Sequence, residues 1–201
     1  ALADKLETLI GIWGIGLAPT GEKDPFALRR HALGICRILV EKKIKLSVIE
    51  LINHTLQQFS QAEVSETAKV EVIHNFILDR LRAYLKDQGV DGKNFSTNEV
   101  ESVVSQAPAF FDDILERLAA VRQFSQLEEA TALAAANKRI GNILKKVDFA
   151  IPEKFNASLF KLEAEKALAQ ALDKVMPQVQ AAFQAGNFAL ALQSFASLRH
   201  Q

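Results

Sequence analysis

An all-helical fold is what this sequence predicts, on three observations. Apolar residues recur at three- and four-residue intervals through most of the 201 positions. No segment sustains the apolar–polar alternation of a half-buried strand. Alanine and leucine are abundant, while the nine glycines and five prolines are few and concentrated toward the N-terminus.

Each element follows from local pattern. Leu2, Leu6, Leu9 and Ile10 space a first helix, which Gly11, Gly14 and Gly16 weaken into a turn. Pro19, Gly21 and Pro25 force a loop. Asp24 is placed to cap a second helix with Pro25 at its first position, running through Ala27, Leu28, Ala32, Leu33, Ile35 and Leu39 to about Lys43. Ser47 caps a short helix, a polar gap follows at 61–66, and 66–88 reads as a long amphipathic helix. Val70, Ile73, Ile77, Leu78, Leu81 and Leu85 form its apolar face. Gly89 ends it and 90–96 reads as a loop.

Ser96 with Glu99 has capping-box spacing, and Thr97 with Glu101 is the alternative. The helix they start stops before Pro108. Two more helices are expected at about 109–121 and 126–147. Pro152 breaks the chain, Asn156 or Ser158 caps a further helix, and Gly186-Asn187 separates a last short one. Pro177 predicts a kink near Val175. The loop at 89–96 or the break at 106–109 divides two helical units. With no flexible Gly/Ser linker, the expectation is a bundle of two closely packed units.

Composition narrows the function. Lys plus Arg and Asp plus Glu are 24 each, which argues against nucleic-acid binding by the whole surface and leaves room for a local basic face. Cys36 is the single cysteine, in the apolar setting GICRILV, so it reads as a buried structural thiol. No apolar run approaches the roughly 20 residues needed to cross a bilayer, and no signal peptide is visible. Ala1 in place of Met suggests a start inside a longer protein. A reducing, cytoplasmic setting is expected, with no membrane or DNA partner.

The sharpest chemical feature lies at Asn137–Lys146. At about 100° per residue, Lys138, Arg139, Asn142, Lys145 and Lys146 share an arc of about 120°. Ala136, Ile140, Ile143, Leu144 and Val147 occupy the opposite side, as an apolar face for the core. Lys and Arg suit RNA phosphates, Asn suits base edges in unpaired loops, and Gly141 at one edge of the arc allows a close backbone approach. The bland reading of this arc is a solvated helix face. A second basic cluster is Arg29, Arg30, Arg37, Lys42, Lys43 and Lys45. Its alternatives are bracing of the loop by Asp24 with Arg29 or Arg30, cations offsetting a helix C-terminus, and contact with an RNA backbone.

Other chemistry is sparse. His31, His54, His74 and His200 have no metal-ligand spacing and read as surface or satisfied packing positions. PTGEK is not a phosphate-binding loop, no nucleophile-elbow pattern occurs, and Asp112-Asp113 with Glu116 suits a helix N-terminus. Phe110 and Phe111 read as core, and Trp13 as packed into the turn after the first helix. No catalytic and no metal residue is assigned.

Two segments carry a family resemblance: ADKLETLIGIWGIGLAPTGEKDPFALRR at the N-terminal end, and AFFDDILERLAAVRQF followed by AAANKRIGNILKK at 134–146. The first resembles the signature segment of bacterial glycyl-tRNA synthetase β subunits. The second resembles the anticodon-binding helical domain that this subunit shares with arginyl-tRNA synthetases. The resemblance implies the C-terminal part of such a subunit. Residues 1–106 would be the tail of its HD-like helical region, and 107–201 an incomplete anticodon-binding domain lacking its closing helices.

It also implies a ligase that joins glycine to tRNA(Gly), its ATP-using class II core carried by a separate α subunit. This chain would then bind tRNA without catalysing, and would hold no cofactor of its own. The implied tRNA-binding residues are Lys138, Arg139, Asn142, Lys145, Lys146, Arg29 and Arg30. A purely structural helical scaffold, holding the β subunit together or docking the α subunit, is the rival reading. Asp4 stands where HD hydrolases place a last metal ligand, but a single carboxylate cannot hold a catalytic ion. It reads as a relic or a capping residue.

Overall fold

The computed structural model describes residues 1–59, 68–90, 92–148 and 156–200. Among them the order is α1 (Leu2–Gly14), α2 (Leu28–Glu41), α3 (Val48–Leu56), α4 (Val70–Lys86), β1 (Gly89–Val90), β2 (Lys93–Asn94), α5 (Thr97–Val104), α6 (Ile114–Ser125), α7 (Glu128–Leu144), α8 (Glu163–Gln184) and α9 (Phe188–Ala196). Turns of 3-10 helix lie at Ala157–Leu159 and Ser197–His200. The fold is all-α, as the periodicity predicts. The expected polar gap at 61–66, the helix start at 66 and the break at Pro152 lie outside the described residues.

Where a loop was expected after Gly89, β1 and β2 pair antiparallel in a two-stranded hairpin. Glycine is needed there, because an added Cβ on Gly89 would lie 2.3 Å from the Lys93 carbonyl oxygen.

Two compact units divide the chain, Ala1–Leu118 and Ala119–Gln201. The break at Pro108 therefore lies inside the first unit, and the boundary expected at 106–107 moves into α6. Hydrogen bonding and burial explain why. The Val48 amide donates to the Ala109 carbonyl at 2.8 Å, and Phe111, Ile114 and Leu118 are fully buried. Ala107, at φ 48°, turns the chain so that this segment returns to the first unit.

The core of the first unit is built on helical spacing. Ala32, Ile35, Cys36, Leu39 and Val40 of α2 are buried, as are Ile73, Ile77, Leu78, Leu81 and Leu85 of α4. Cys36 lies among them and its thiol points to the Ile77 carbonyl at 3.6 Å; burial pushes its pKa far above the ordinary range. Trp13, in the last turn of α1, meets Phe76 edge-on with centroids 4.9 Å apart. Ser96 and Glu99 form the reciprocal capping box that starts α5.

His74 is the buried histidine of this core. Its Nε2 sits 3.1 Å from the Pro108 carbonyl, which assigns the proton to that nitrogen in the neutral ring. Burial lowers its pKa, and the hydrogen bond to Pro108 opposes the shift. A base whose folded pKa is depressed stabilises the fold fully above its unfolded value, 6.5, and progressively less as pH falls below it. Urea midpoints of the parent chain are therefore expected to fall between pH 7.5 and 5. His74→Gln, which keeps a donor but does not titrate, should flatten that fall. Equal slopes for the two proteins would refute this role.

The second unit is held more thinly. Val179 and Ala182 of α8 pack on Ala191 of α9, with Val175 and Phe195 alongside. Phe183 and Phe188 meet edge-on across the α8–α9 turn at 5.6 Å. Pro177 lies inside α8, which runs on past it. One helix start differs from expectation. Asn156 caps only the 3-10 turn, accepting from the Ser158 amide at 3.0 Å, whereas α8 begins where Glu165 accepts from the Lys161 and Leu162 amides. Asn187 caps α9 through the Leu190 amide at 3.1 Å.

Candidate nucleic-acid interface

In α7, burial is confined to the first turns, with Ala130 buried and Leu133 half-buried. From Ala134 to Ile140 every residue is exposed, as are 142–146. The cationic arc is therefore open to solvent along its length. Ala135, Lys138, Arg139, Asn142, Ile143 and Lys146 border a shallow depression of about 360 Å³. Lys145 lies on the same arc, and an added Cβ on Gly141 would meet no atom within 4 Å. Four cations and one amide thus share one exposed surface.

The apolar side of this helix departs from expectation. Ile140 is 53% exposed, Ile143 55% and Leu144 43%, so this face does not line a core here. The physical reason is the point of attachment: α7 is covered only near its N-terminal end.

The second basic cluster resolves into separate roles. The two carboxylate oxygens of Asp24 accept from the Leu28 amide at 2.8 Å and the Arg29 amide at 3.0 Å. Asp24 thus caps α2 as expected, but the helix starts at Leu28, because the chain first makes a turn and Ala27 takes a left-handed conformation at φ 54°. The Arg29 guanidinium donates to the Gly21 carbonyl and ties the preceding loop to the helix. Lys43 pairs with Glu116, and that carboxylate raises its pKa. Arg37 holds Glu41 at 2.9 Å and keeps its carboxyl below the ordinary range. Arg30, Lys42 and Lys45 are exposed.

Two residues escaped the sequence reading. Lys5 of α1 lays its stem across Gly34 of α2, where an added Cβ would lie 2.7 Å from Lys5 Cε. The signal was a glycine inside an otherwise helical pattern, which marks close packing. Together with Arg30, Arg37, Glu41 and Lys42 they line a groove of about 390 Å³ along the α1–α2 seam.

Phe111 is fully buried, but Phe110 is 39% exposed, which corrects the expectation that both are core. Asp4 is exposed in the first turn of α1, and no group of metal-ligating side chains occurs among the described residues. None of the described helices is long and apolar enough to cross a membrane.

A family model described as the glycyl-tRNA synthetase beta subunit matches residues 1–104. A relative from Ralstonia nicotianae, named glycine–tRNA ligase beta subunit, is 55% identical over 99% of this chain and 28% of its own length. Relatives of the same name from Methylobacillus flagellatus and a Janthinobacterium species are 51% and 47% identical, over 99% and 100% of this chain and 27% of their own lengths. The chain spans just over a quarter of the length of the curated relatives it matches.

Proposed function

Because the chain belongs to the glycyl-tRNA synthetase beta subunit family, we propose that it is a non-catalytic, tRNA-binding part of that ligase. The ligase would charge tRNA(Gly) at the expense of ATP in a core carried by the α subunit. The single observation that carries this reading is the open cationic arc of α7, where Lys138, Arg139, Lys145 and Lys146 surround Asn142. Cations at this spacing can follow a phosphate backbone, while the amide is free to address a base of an unpaired loop such as the anticodon. Binding energy gathered here would orient the tRNA for a reaction performed elsewhere.

The test is a tRNA titration at several salt concentrations. Replacing Lys138 and Lys146 with Ala removes two phosphate contacts. The log–log salt slope is expected to fall by about 1.4–1.8 and affinity by roughly 30-fold near 0.1 M salt. Asn142→Ala should instead reduce discrimination among tRNAs with the slope nearly intact. Unchanged affinity and slope in the double variant, with circular dichroism showing a folded chain, would leave α7 a solvated helix face. A second reading, a scaffold that docks the α subunit, is favoured by exposed Ile140, Ile143 and Leu144 on the other side of the same helix.

A further inference from the structure

The groove along the α1–α2 seam joins an apolar floor to a cationic rim. Arg30, Leu33, Gly34, Arg37, Ile38 and Glu41 recur at helical spacing on one face of α2 and line it. Leu33 and Ile38 stay half-buried there, whereas Ile35, Cys36 and Leu39 of the same helix are fully buried. Gly34 lowers the floor beside them, and Lys5 crosses from α1 with its aliphatic stem against that glycine.

The rim is one-sided in charge. Lys5, Arg30, Arg37 and Lys42 face a single carboxylate, and that one is engaged: Glu41 accepts from Arg37 at 2.9 Å and from the Tyr84 hydroxyl at 3.3 Å. Lys5, Arg30 and Lys42 have no salt-bridge partner among the described residues. An aliphatic strip bordered by uncompensated cations is complementary to an aliphatic strip bordered by carboxylates. Two features favour a protein helix over a nucleic acid as that complement. A phosphodiester strand has no aliphatic group to cover Leu33 and Ile38, and it would bring negative charge against Glu41, which interrupts the row between Arg37 and Lys42. A helix carries aliphatic side chains at three- and four-residue intervals, carboxylates on their flanks, and a neutral residue wherever Glu41 requires one.

We propose that the α1–α2 groove docks an acidic amphipathic helix of a partner protein. Aliphatic side chains of that helix cover Leu33, Gly34 and Ile38, and its carboxylates pair with Lys5, Arg30 and Lys42. The groove belongs to the first unit, and this docking rests on neither reading of α7.

The test titrates the full chain against a dye-labelled synthetic helix in which glutamates flank a leucine stripe, followed by fluorescence anisotropy. A peptide of the same composition with the stripe scrambled, and an oligoglutamate of equal charge, are run beside it. The patterned helix is expected to bind about tenfold tighter than either. Arg30→Glu turns an attraction into a repulsion at an exposed position and should weaken binding about five- to tenfold. Leu33→Ala removes part of the apolar floor and should weaken it about tenfold. Circular dichroism and Trp13 fluorescence check that both variants are folded. Equal binding of the three peptides, or indifference of the patterned helix to either folded variant, would overturn the proposal. So would a single-stranded RNA that binds as tightly and responds to Arg30→Glu but not to Leu33→Ala, because the groove would then be purely electrostatic. A dimer of the parent chain in sedimentation that Arg30→Glu dissolves would overturn it as well, by making a second copy of this chain the occupant.

Discussion

Phe111→Ala is expected to destabilise the first unit by about 3–5 kcal/mol, the usual effect of emptying a fully buried aromatic site. The size of the effect follows from the side chain's surroundings. Phe111 is fully buried, as are Ile114 and Leu118 one and two turns on, and the segment before it is pinned by the Val48 and His74 hydrogen bonds to Ala109 and Pro108. Trp13, the only tryptophan, sits in the first unit and reports on it alone. Urea unfolding followed by its fluorescence should show a midpoint well below the parent's. If residues 107–118 belonged to the second unit, the Trp13 transition would stay in place. That result would restore a boundary at Pro108.

Asp24→Ala is expected to cost about 2–4 kcal/mol, as two hydrogen bonds from a charged acceptor to the first amides of α2 are lost together. The left-handed Ala27 turn loses its clamp at the same time. Asp24→Asn, which keeps one carbonyl oxygen, should recover about half of the loss. Arg29→Ala should lower stability too, through the Gly21 carbonyl, yet leave the salt slope of RNA binding unchanged. Thermal melts and RNA titrations on the same samples separate the two effects. A flattened slope for Arg29→Ala would return that residue to the RNA-binding set beside Arg30.

Helix identity was legible in the sequence because burial in the first unit is one-sided and repeats with the helical period. Ile73, Ile77, Leu81 and Leu85 belong to one stripe, and the stripe is buried. The capping residues Ser47 and Ser96 were legible for a similar reason, since a side-chain oxygen before an apolar run has a nearby amide to accept from. Starts that depend on backbone turns were not. Asp24 was read correctly as a cap, yet the left-handed turn at Ala27 moved the helix start to Leu28.

The candidate site divides along the same line. The arc of Lys138, Arg139, Asn142, Lys145 and Lys146 follows from the wheel alone, because one helix carries all of it. Exposure of its apolar side does not, since periodicity identifies a face but not what covers it. The α1–α2 groove was hidden for another reason. Lys5 and Gly34 come together only through packing between helices, and of the adjacent pair Arg29 turns to the Gly21 carbonyl while Arg30 lines the groove.

Cys36 carries a consequence of its own. Thiol reagents attack the thiolate, and a sulfhydryl with no solvent exposure and a strongly raised pKa offers almost none in the closed molecule. Modification must therefore wait for α2 and α4 to separate, so its rate is a clock for the opening of that helix pair. The remaining 83 residues of the second unit contain no cysteine, and the clock is blind to them. A single sulfur atom thus gives the first unit a kinetic record of its own excursions, unmixed with those of the second.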